Sequence, residues 1–170
     1  MDYLTTLRLI HIVCGVFWTG SIMYLAGFII PAVNALGPDG GKFMQQLAKT
    51  NKLPLVMTVV ATLNVLAGIL MLERLSGGFQ AEWFKSTHAI ILTTGGTLAF
   101  IAWIIGLTVN RPTVTRIAEI GKSIAASGTP PTPAQLQELQ SLRKRLIAAT
   151  NYMAVLLLLT VVAMSIMKYL

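Results

Sequence analysis

The sequence predicts an all-α integral membrane protein, a transmembrane four-helix bundle in one domain. Of its 170 residues, 55% are hydrophobic and only 11% are charged, whereas soluble domains carry about 25% charged residues. Every Asp, Glu, Lys and Arg lies outside four long apolar stretches. Because a transmembrane helix needs about 20 apolar residues, each stretch is long enough to span a bilayer. The four predicted spans are residues 9–33, 53–72, 86–109 and 146–167.

The distribution of Lys and Arg predicts the orientation of the bundle, because cytoplasmic loops of membrane proteins carry an excess of both. Nine of them lie in the two loops that follow the first and third spans: Lys42, Lys49, Lys52, Arg111, Arg116, Lys122, Arg143, Lys144 and Arg145. The four on the opposite side are Arg8, Arg74, Lys85 and Lys168. Both termini are therefore expected on the outer, periplasmic side. The net charge of +7 follows from this topology, and no basic face with stacking aromatic groups indicates nucleic-acid binding.

The loop between the third and fourth spans is expected to contain helical structure. Residues 114–126 place three isoleucines on one helical face, which predicts a cytoplasmic amphipathic helix along the membrane surface. Further on, Thr132 and Gln135 flank Pro133 in the pattern of a helix start. The fourth helix is therefore expected to begin near Pro133, before it enters the bilayer.

Several chemical classes are disfavoured by what the sequence lacks. The chain has one cysteine, which excludes an internal disulfide. It has no phosphate-binding glycine loop and no HExxH motif, so neither ATP chemistry nor zinc-dependent hydrolysis is indicated. No carboxylate lies within a span, although proton-coupled transporters typically use buried acidic or histidine relays. Asn64, in the middle of the second span, is expected to donate a hydrogen bond to another helix.

The two histidines, His11 and His88, are the candidate metal ligands. Each follows a basic residue, Arg8 or Lys85, by three positions, on helices that run in the same direction. With a helical rise of 1.5 Å per residue, both imidazoles are expected about 4–5 Å inside the outer interface. Ionisable groups within a membrane are functional candidates, and imidazole is a common axial ligand of haem iron. We therefore predict one haem b between the first and third spans, with both histidines as axial ligands.

Other residues near these histidines are predicted to complete a haem pocket. Gly15 and Trp18 follow the first histidine on the same helical face, and Gly95 follows the second by seven residues. Glycines leave space for a flat macrocycle, and an indole ring could form a pocket wall. Arg8 and Lys85 lie where haem propionates would need cationic partners. The predicted function is a small b-type cytochrome that exchanges electrons with a quinol or a periplasmic partner.

Copper is the competing metal, because soft sulfur ligands select Cu(I). Cys14 lies one turn from His11, and three methionines are expected at the same depth: Met71, Met164 and Met167. This alternative predicts a copper-handling protein. A third alternative is a non-catalytic membrane scaffold in which the histidines are packing residues. The sequence leaves open whether the protein turns over a substrate and whether it forms a homo-oligomer.

Residues 11–24, HIVCGVFWTGSIMY, resemble the first helix of HemJ-type protoporphyrinogen oxidases and of related CopD-like four-helix membrane proteins. The matching positions are His11, Trp18, Gly20 and Tyr24. The similarity continues through KFMQQL before the second span, through Gly68 within it, and through WFKSTH at residues 83–88. It covers about the first 110 residues.

The resemblance implies a four-helix bundle in a bacterial inner membrane, with b-type haem bound through histidine and a role in electron transfer. CopD-like relatives imply copper handling. The sequence also departs from the HemJ pattern. The stretch GFIIPAV lacks the arginine and the further histidine of that family, and the order of Lys85 and His88 is reversed. The ligand role is therefore carried over to His11 and His88 only.

Overall fold

The computed structural model describes residues 2–49 and 52–166, which form seven α-helices. They are α1 (Tyr3–Tyr24), α2 (Ile30–Ala35), α3 (Pro38–Lys49), α4 (Leu53–Leu75), α5 (Thr87–Ile105), α6 (Arg111–Ser127) and α7 (Pro133–Ile166). Met167 and Lys168, which figured in the predictions of copper ligands and of orientation, lie outside the described residues.

Two π-helical turns join neighbouring helices into longer ones. Leu25–Ile29 connects α1 to α2, and Gly106–Asn110 connects α5 to α6. Four segments of the described chain are then long and apolar enough to cross a membrane: Tyr3–Ala35, Leu53–Leu75, Thr87–Ser127 and Pro133–Ile166. They correspond to the four predicted spans, and the predicted all-α four-helix fold is confirmed.

The start of α7 is the capping box that the sequence predicts. The Oε1 of Gln135 accepts a hydrogen bond from the Thr132 amide at 2.9 Å, and Thr132 Oγ1 accepts one from the Gln135 amide at 3.3 Å. Pro133 occupies the first helical position, where its missing N–H leaves no bond unmade. These contacts stabilise the N-terminal turn of a 34-residue helix.

The helices between the spans differ in part from expectation. The predicted amphipathic helix is present as α6, but it continues α5 through the π-turn instead of forming a separate element. An ion pair between Arg116 Nε and Glu138 Oε1, at 2.7 Å, links α6 to α7. Helix α3 was not predicted, because the residues between the first and second spans were expected to form a loop. Its half-buried residues nonetheless recur at helical spacing, as Met44, Leu47 and Ala48 show.

The bundle consists of two closely packed helix pairs. Helix α1 packs chiefly against α4, and α5 packs chiefly against α7, while smaller contacts join α1 to α7 and α4 to α5. Helices α1 and α5 therefore lie on a diagonal of the bundle. The core between the pairs contains the almost fully buried Trp18 and Leu157 together with small residues such as Ala61 and Ala102. Small side chains let helix backbones approach closely, which is how membrane helices gain packing energy.

Asp2 caps α1, and its pKa makes the cap sensitive to acid. Its Oδ1 accepts a hydrogen bond from the Thr5 amide at 2.7 Å, and hydrogen bonding to Thr5 lowers the pKa of the carboxyl below its ordinary value. A carboxyl whose pKa is lower in the folded state stabilises the fold above its unfolded pKa, near 3.9, and loses that contribution as the pH falls through the folded value.

We therefore expect the first turn of α1 to fray below about pH 4. Hydrogen exchange of the Thr5 and Thr6 amides, followed against pH, measures this. The variant Asp2→Asn keeps a capping oxygen without a titratable group. The protection of these two amides against exchange should therefore not change with pH over the same range in this variant. Equal pH profiles for the two proteins would contradict the assignment.

Candidate functional site

His11 lies half-buried between α1 and α4. Its Nδ1 is 2.9 Å from the main-chain oxygen of Asn64. A carbonyl oxygen only accepts hydrogen bonds, so Nδ1 carries the proton, and in the neutral ring the lone pair is on Nε2. Nε2 is therefore the nitrogen that can bind a metal. Metal-ligating histidines are commonly oriented in this way, with the second ring nitrogen donating to a backbone carbonyl.

Two glycines make this contact between the helices possible. Gly68 is one turn beyond Asn64, and a Cβ at this position would lie 3.0 Å from Cε1 and 3.2 Å from Nδ1 of His11. On α1, a Cβ at Gly15 would lie 3.0 Å from Asn64 Oδ1. In an α-helix the carbonyl of residue i faces residue i+4. Glycine at position 68 therefore leaves the Asn64 carbonyl open to the imidazole ring.

The Asn64 side chain differs from expectation. It was predicted to donate a hydrogen bond to another helix, but the described residues provide no such bond, and the buried Oδ1 accepts none there. A buried acceptor without a partner costs about 1–3 kcal/mol. The part of Asn64 that joins the helices is its main chain, which no residue-type pattern could have indicated.

His88 has a different environment. It is the second residue of α5 and is exposed, whereas the next residue, Ala89, is completely buried. Helix α5 faces α4 and α7 and lies diagonally across from α1. The structure thus places His11 against α4 and leaves His88 at the exposed end of α5. Their pairing around one iron stays a prediction.

The other predicted pocket residues are distributed over several parts of the bundle. Gly15 lies beside Asn64, near His11. A Cβ at Gly95 would lie 3.2 Å from side-chain atoms of Ala163 and Met164, so this glycine makes room for α7. Trp18 is 2% exposed and belongs to the central core. It lies further from the end at which α1 and α5 begin, which we call the outer end after the predicted orientation.

The two basic residues lie at the expected end of the bundle. Arg8 is exposed on α1, and Lys85 is exposed just before α5. The Lys85 ammonium pairs with Glu82 Oε1 at 2.6 Å. Exposed ion pairs contribute at most about 1 kcal/mol, so either cation is available to an anionic group.

Nothing in the described residues groups three His, Cys, Asp or Glu side chains as a metal site. Cys14 is half-buried one turn from His11 on α1, and the half-buried Met71 and Met164 lie towards the outer ends of their helices. A copper site would therefore need thioether sulfurs in addition to the imidazole and the thiol.

A cavity of about 590 Å³ lies in the opposite half of the bundle. It is lined by the ends of the long helices on this side, which we call the inner ends after the predicted orientation, together with α3 and α6. It extends from Trp18 and Trp103 to Asn110 and Arg143. Neither histidine lines it. The sequence did not indicate this cavity, because α3, which forms one wall, was expected to be a loop.

Comparison of the chain with family models, with curated proteins and with solved structures finds no match. The fold and the residues described above define the class: a multi-pass helical membrane protein. Within that class, the features that bear on function are one oriented histidine near the outer end and one large cavity near the inner end.

Proposed function

We propose that the protein is a small b-type membrane cytochrome in which His11 would bind the iron of haem. The observation that carries this proposal is the hydrogen bond from His11 Nδ1 to the Asn64 carbonyl, 2.9 Å long. It fixes the tautomer that has its lone pair on Nε2, and it raises the basicity of that nitrogen towards a metal. Haem, when bound, would supply one-electron redox chemistry.

The chain contributes ligands, positioning and charge. Gly68 and Gly15 keep α1 and α4 close enough for the ring to stay oriented. Arg8 and Lys85 provide positive charge at the outer end for the propionates. His88 is the proposed second ligand, because it is the other of the two histidines in the sequence. The proposed role is electron exchange with a quinol or a periplasmic partner, at the inner membrane of a bacterium.

The decisive experiment is an absorption spectrum of the detergent-purified protein, oxidised and reduced, from cells supplied with a haem precursor. We expect a Soret band and a reduced-minus-oxidised difference spectrum typical of b-type haem. Adding a short-chain quinol should reduce the haem iron and produce the spectrum of the reduced protein. His88→Ala should change the ligation state of the iron and shift the band. A protein that carries no haem band and no iron would overturn the proposal.

Metal analysis of the same samples tests the competing metal. Stoichiometric copper that disappears in the variant Cys14→Ser would favour copper handling over the cytochrome. Absence of both metals would favour the scaffold alternative.

A further inference from the structure

We infer that the cavity in the inner half of the bundle is a second binding site, which takes an amphipathic anion: an apolar body with a carboxylate or phosphate head. This inference does not depend on haem binding. The cavity and His11 lie towards opposite ends of the bundle, and of the residues that the sequence predicted for the haem pocket only Trp18 lines the cavity.

The size and the walls of the cavity determine the apolar part. Its volume, about 590 Å³, lies within the range of about 300–1,000 Å³ that is usual for ligand pockets. Most of its walls are apolar, including the side chains of Met57, Leu107, Ile147 and the indoles of Trp18 and Trp103. Such walls favour a hydrocarbon chain or ring system over a polar solute.

The charges at the mouth determine the sign of the head. Lys42, Arg111 and Arg143 line the cavity, and no Asp or Glu of the described chain lines it. Within that part of the chain Arg111 and Arg143 form no salt bridge, unlike Arg116, which pairs with two glutamates. Guanidinium groups bind carboxylate and phosphate through short, charge-assisted hydrogen bonds. Lys42 pairs with Asp39 Oδ1 at 2.8 Å. The positive charge that lacks a counter-ion among the described residues is therefore that of Arg111 and Arg143.

The Arg143 guanidinium lies against a glycine on another helix. A Cβ at Gly41 of α3 would lie 3.1 Å from Arg143 Nη2. The guanidinium of α7 thus reaches across to α3, where Gly41 also lines the cavity. Arg111 reaches the same cavity from α6, so two cations from different helices can approach one head group.

Asn110 holds the residue before Arg111 against α7. Its Nδ2 donates to Thr150 Oγ1 and Met153 Sδ, both at 3.3 Å. Its Oδ1 is buried, leaves no surface open to a water-sized group and accepts no hydrogen bond from the described residues. These contacts fix the backbone beside Arg111 at the cavity wall, which Asn110, Thr150 and Met153 also line.

Tryptophan fluorescence tests the proposal directly, because Trp18 and Trp103 line the cavity. The third tryptophan, Trp83, is removed by Trp83→Phe so that only the two cavity indoles report. The full chain is placed in nanodiscs of phosphatidylcholine and titrated with lysophosphatidate brominated on its acyl chain. In a second arm, brominated phosphatidylglycerol is built into the nanodisc. Brominated phosphatidylcholine and brominated monoacylglycerol measure quenching by zwitterionic and uncharged lipid.

We expect saturable quenching in at least one anionic arm. Saturation by lysophosphatidate alone identifies a dispersed amphiphile as the source, and saturation by phosphatidylglycerol alone identifies a bilayer lipid. The double variant Arg111→Gln/Arg143→Gln should weaken the apparent affinity roughly tenfold or more, since each lost partner removes a charge-assisted hydrogen bond. Lys144→Gln/Arg145→Gln removes the same charge from exposed positions that do not line the cavity, and its affinity should be unchanged.

The proposal is overturned if neither anionic probe saturates, if monoacylglycerol quenches as well as lysophosphatidate, or if both double variants bind alike. The far-ultraviolet circular dichroism spectrum of the Arg111→Gln/Arg143→Gln protein provides a check of folding that needs no bound haem. It should equal that of the parent, so failure of this inference and failure of the proposed cytochrome function are distinguishable.

Discussion

Replacing His11 by alanine is expected to remove the haem absorption bands from the purified protein. The imidazole is the group that the Asn64 carbonyl orients with Nε2 free for a metal, and alanine has no atom that could take its place. The ratio of Soret absorbance to protein absorbance measures the loss. Added imidazole should restore part of the band, because it can enter the space that the side chain leaves.

A protein with His11→Ala that retains the full band would show that the haem is ligated elsewhere. Restoration by imidazole separates loss of a ligand from loss of the fold, since an unfolded bundle would have no site for free imidazole to complete.

The variant Gly68→Ala tests the orientation of the ring without removing it. The new Cβ would lie 3.0 Å from His11 Cε1, so the ring must turn or the helices must separate, and the bond to Asn64 lengthens. Loss of such an outer partner typically costs 10- to 100-fold in metal affinity. Gly96→Ala is the matched control, because a Cβ at this glycine of α5 meets nothing within 4 Å. Equal haem affinity in both variants would show that the ring is not held as proposed.

Gly40→Ala is expected to have the largest effect on the fold. Gly40 is buried at the start of α3, and a Cβ there would overlap the main-chain oxygen of Val33. A main-chain atom cannot move away as the end of a flexible side chain can, so the connection between α2 and α3 must open. Substitutions that force such an overlap are among the most destabilising. We expect the free energy of unfolding to fall by more than about 3 kcal/mol. Thermal unfolding in detergent, followed by tryptophan fluorescence, measures it.

Gly41→Ala is the control for this variant. The Cβ at Gly41 meets only Arg143 Nη2, at 3.1 Å, and that group lies at the end of a long flexible side chain. Its unfolding temperature should stay near that of the parent protein. Similar unfolding temperatures for the two variants would contradict the steric argument.

The four long helices could be predicted because a span is defined by length and apolarity, which are local properties of the sequence. The signal for the start of α7 was equally local, since the capping box of Thr132 and Gln135 lies within four residues. Helix α3 was missed because Pro38, Gly40 and Gly41 favour a turn when they are judged singly. The contacts of α3 with the rest of the bundle outweigh those preferences.

The candidate site was only partly predictable. His11 was identified because an ionisable residue within an apolar span is unusual. Equal depth of His11 and His88 suggested facing helices, but depth does not determine which helices pack together. The shapes of the helix surfaces determine the pairing: α1 carries Gly15 where α4 presents Asn64, and α5 carries Gly95 where α7 presents Ala163. Such complementarity, and the carbonyl that holds the imidazole, are properties of the assembled bundle.

The π-helical turns, Leu25–Ile29 and Gly106–Asn110, determine which way the inner ends of two long helices face. Each holds one residue more per turn than an α-helix would, and a residue of α-helix corresponds to a rotation of about 100°. If the residues of Gly106–Asn110 instead formed regular α-helix, with none deleted, the whole of α6 would therefore turn about its axis by about 100°. Arg111 and the apolar side chains that follow it would turn away from the cavity that they now line, with no change in composition.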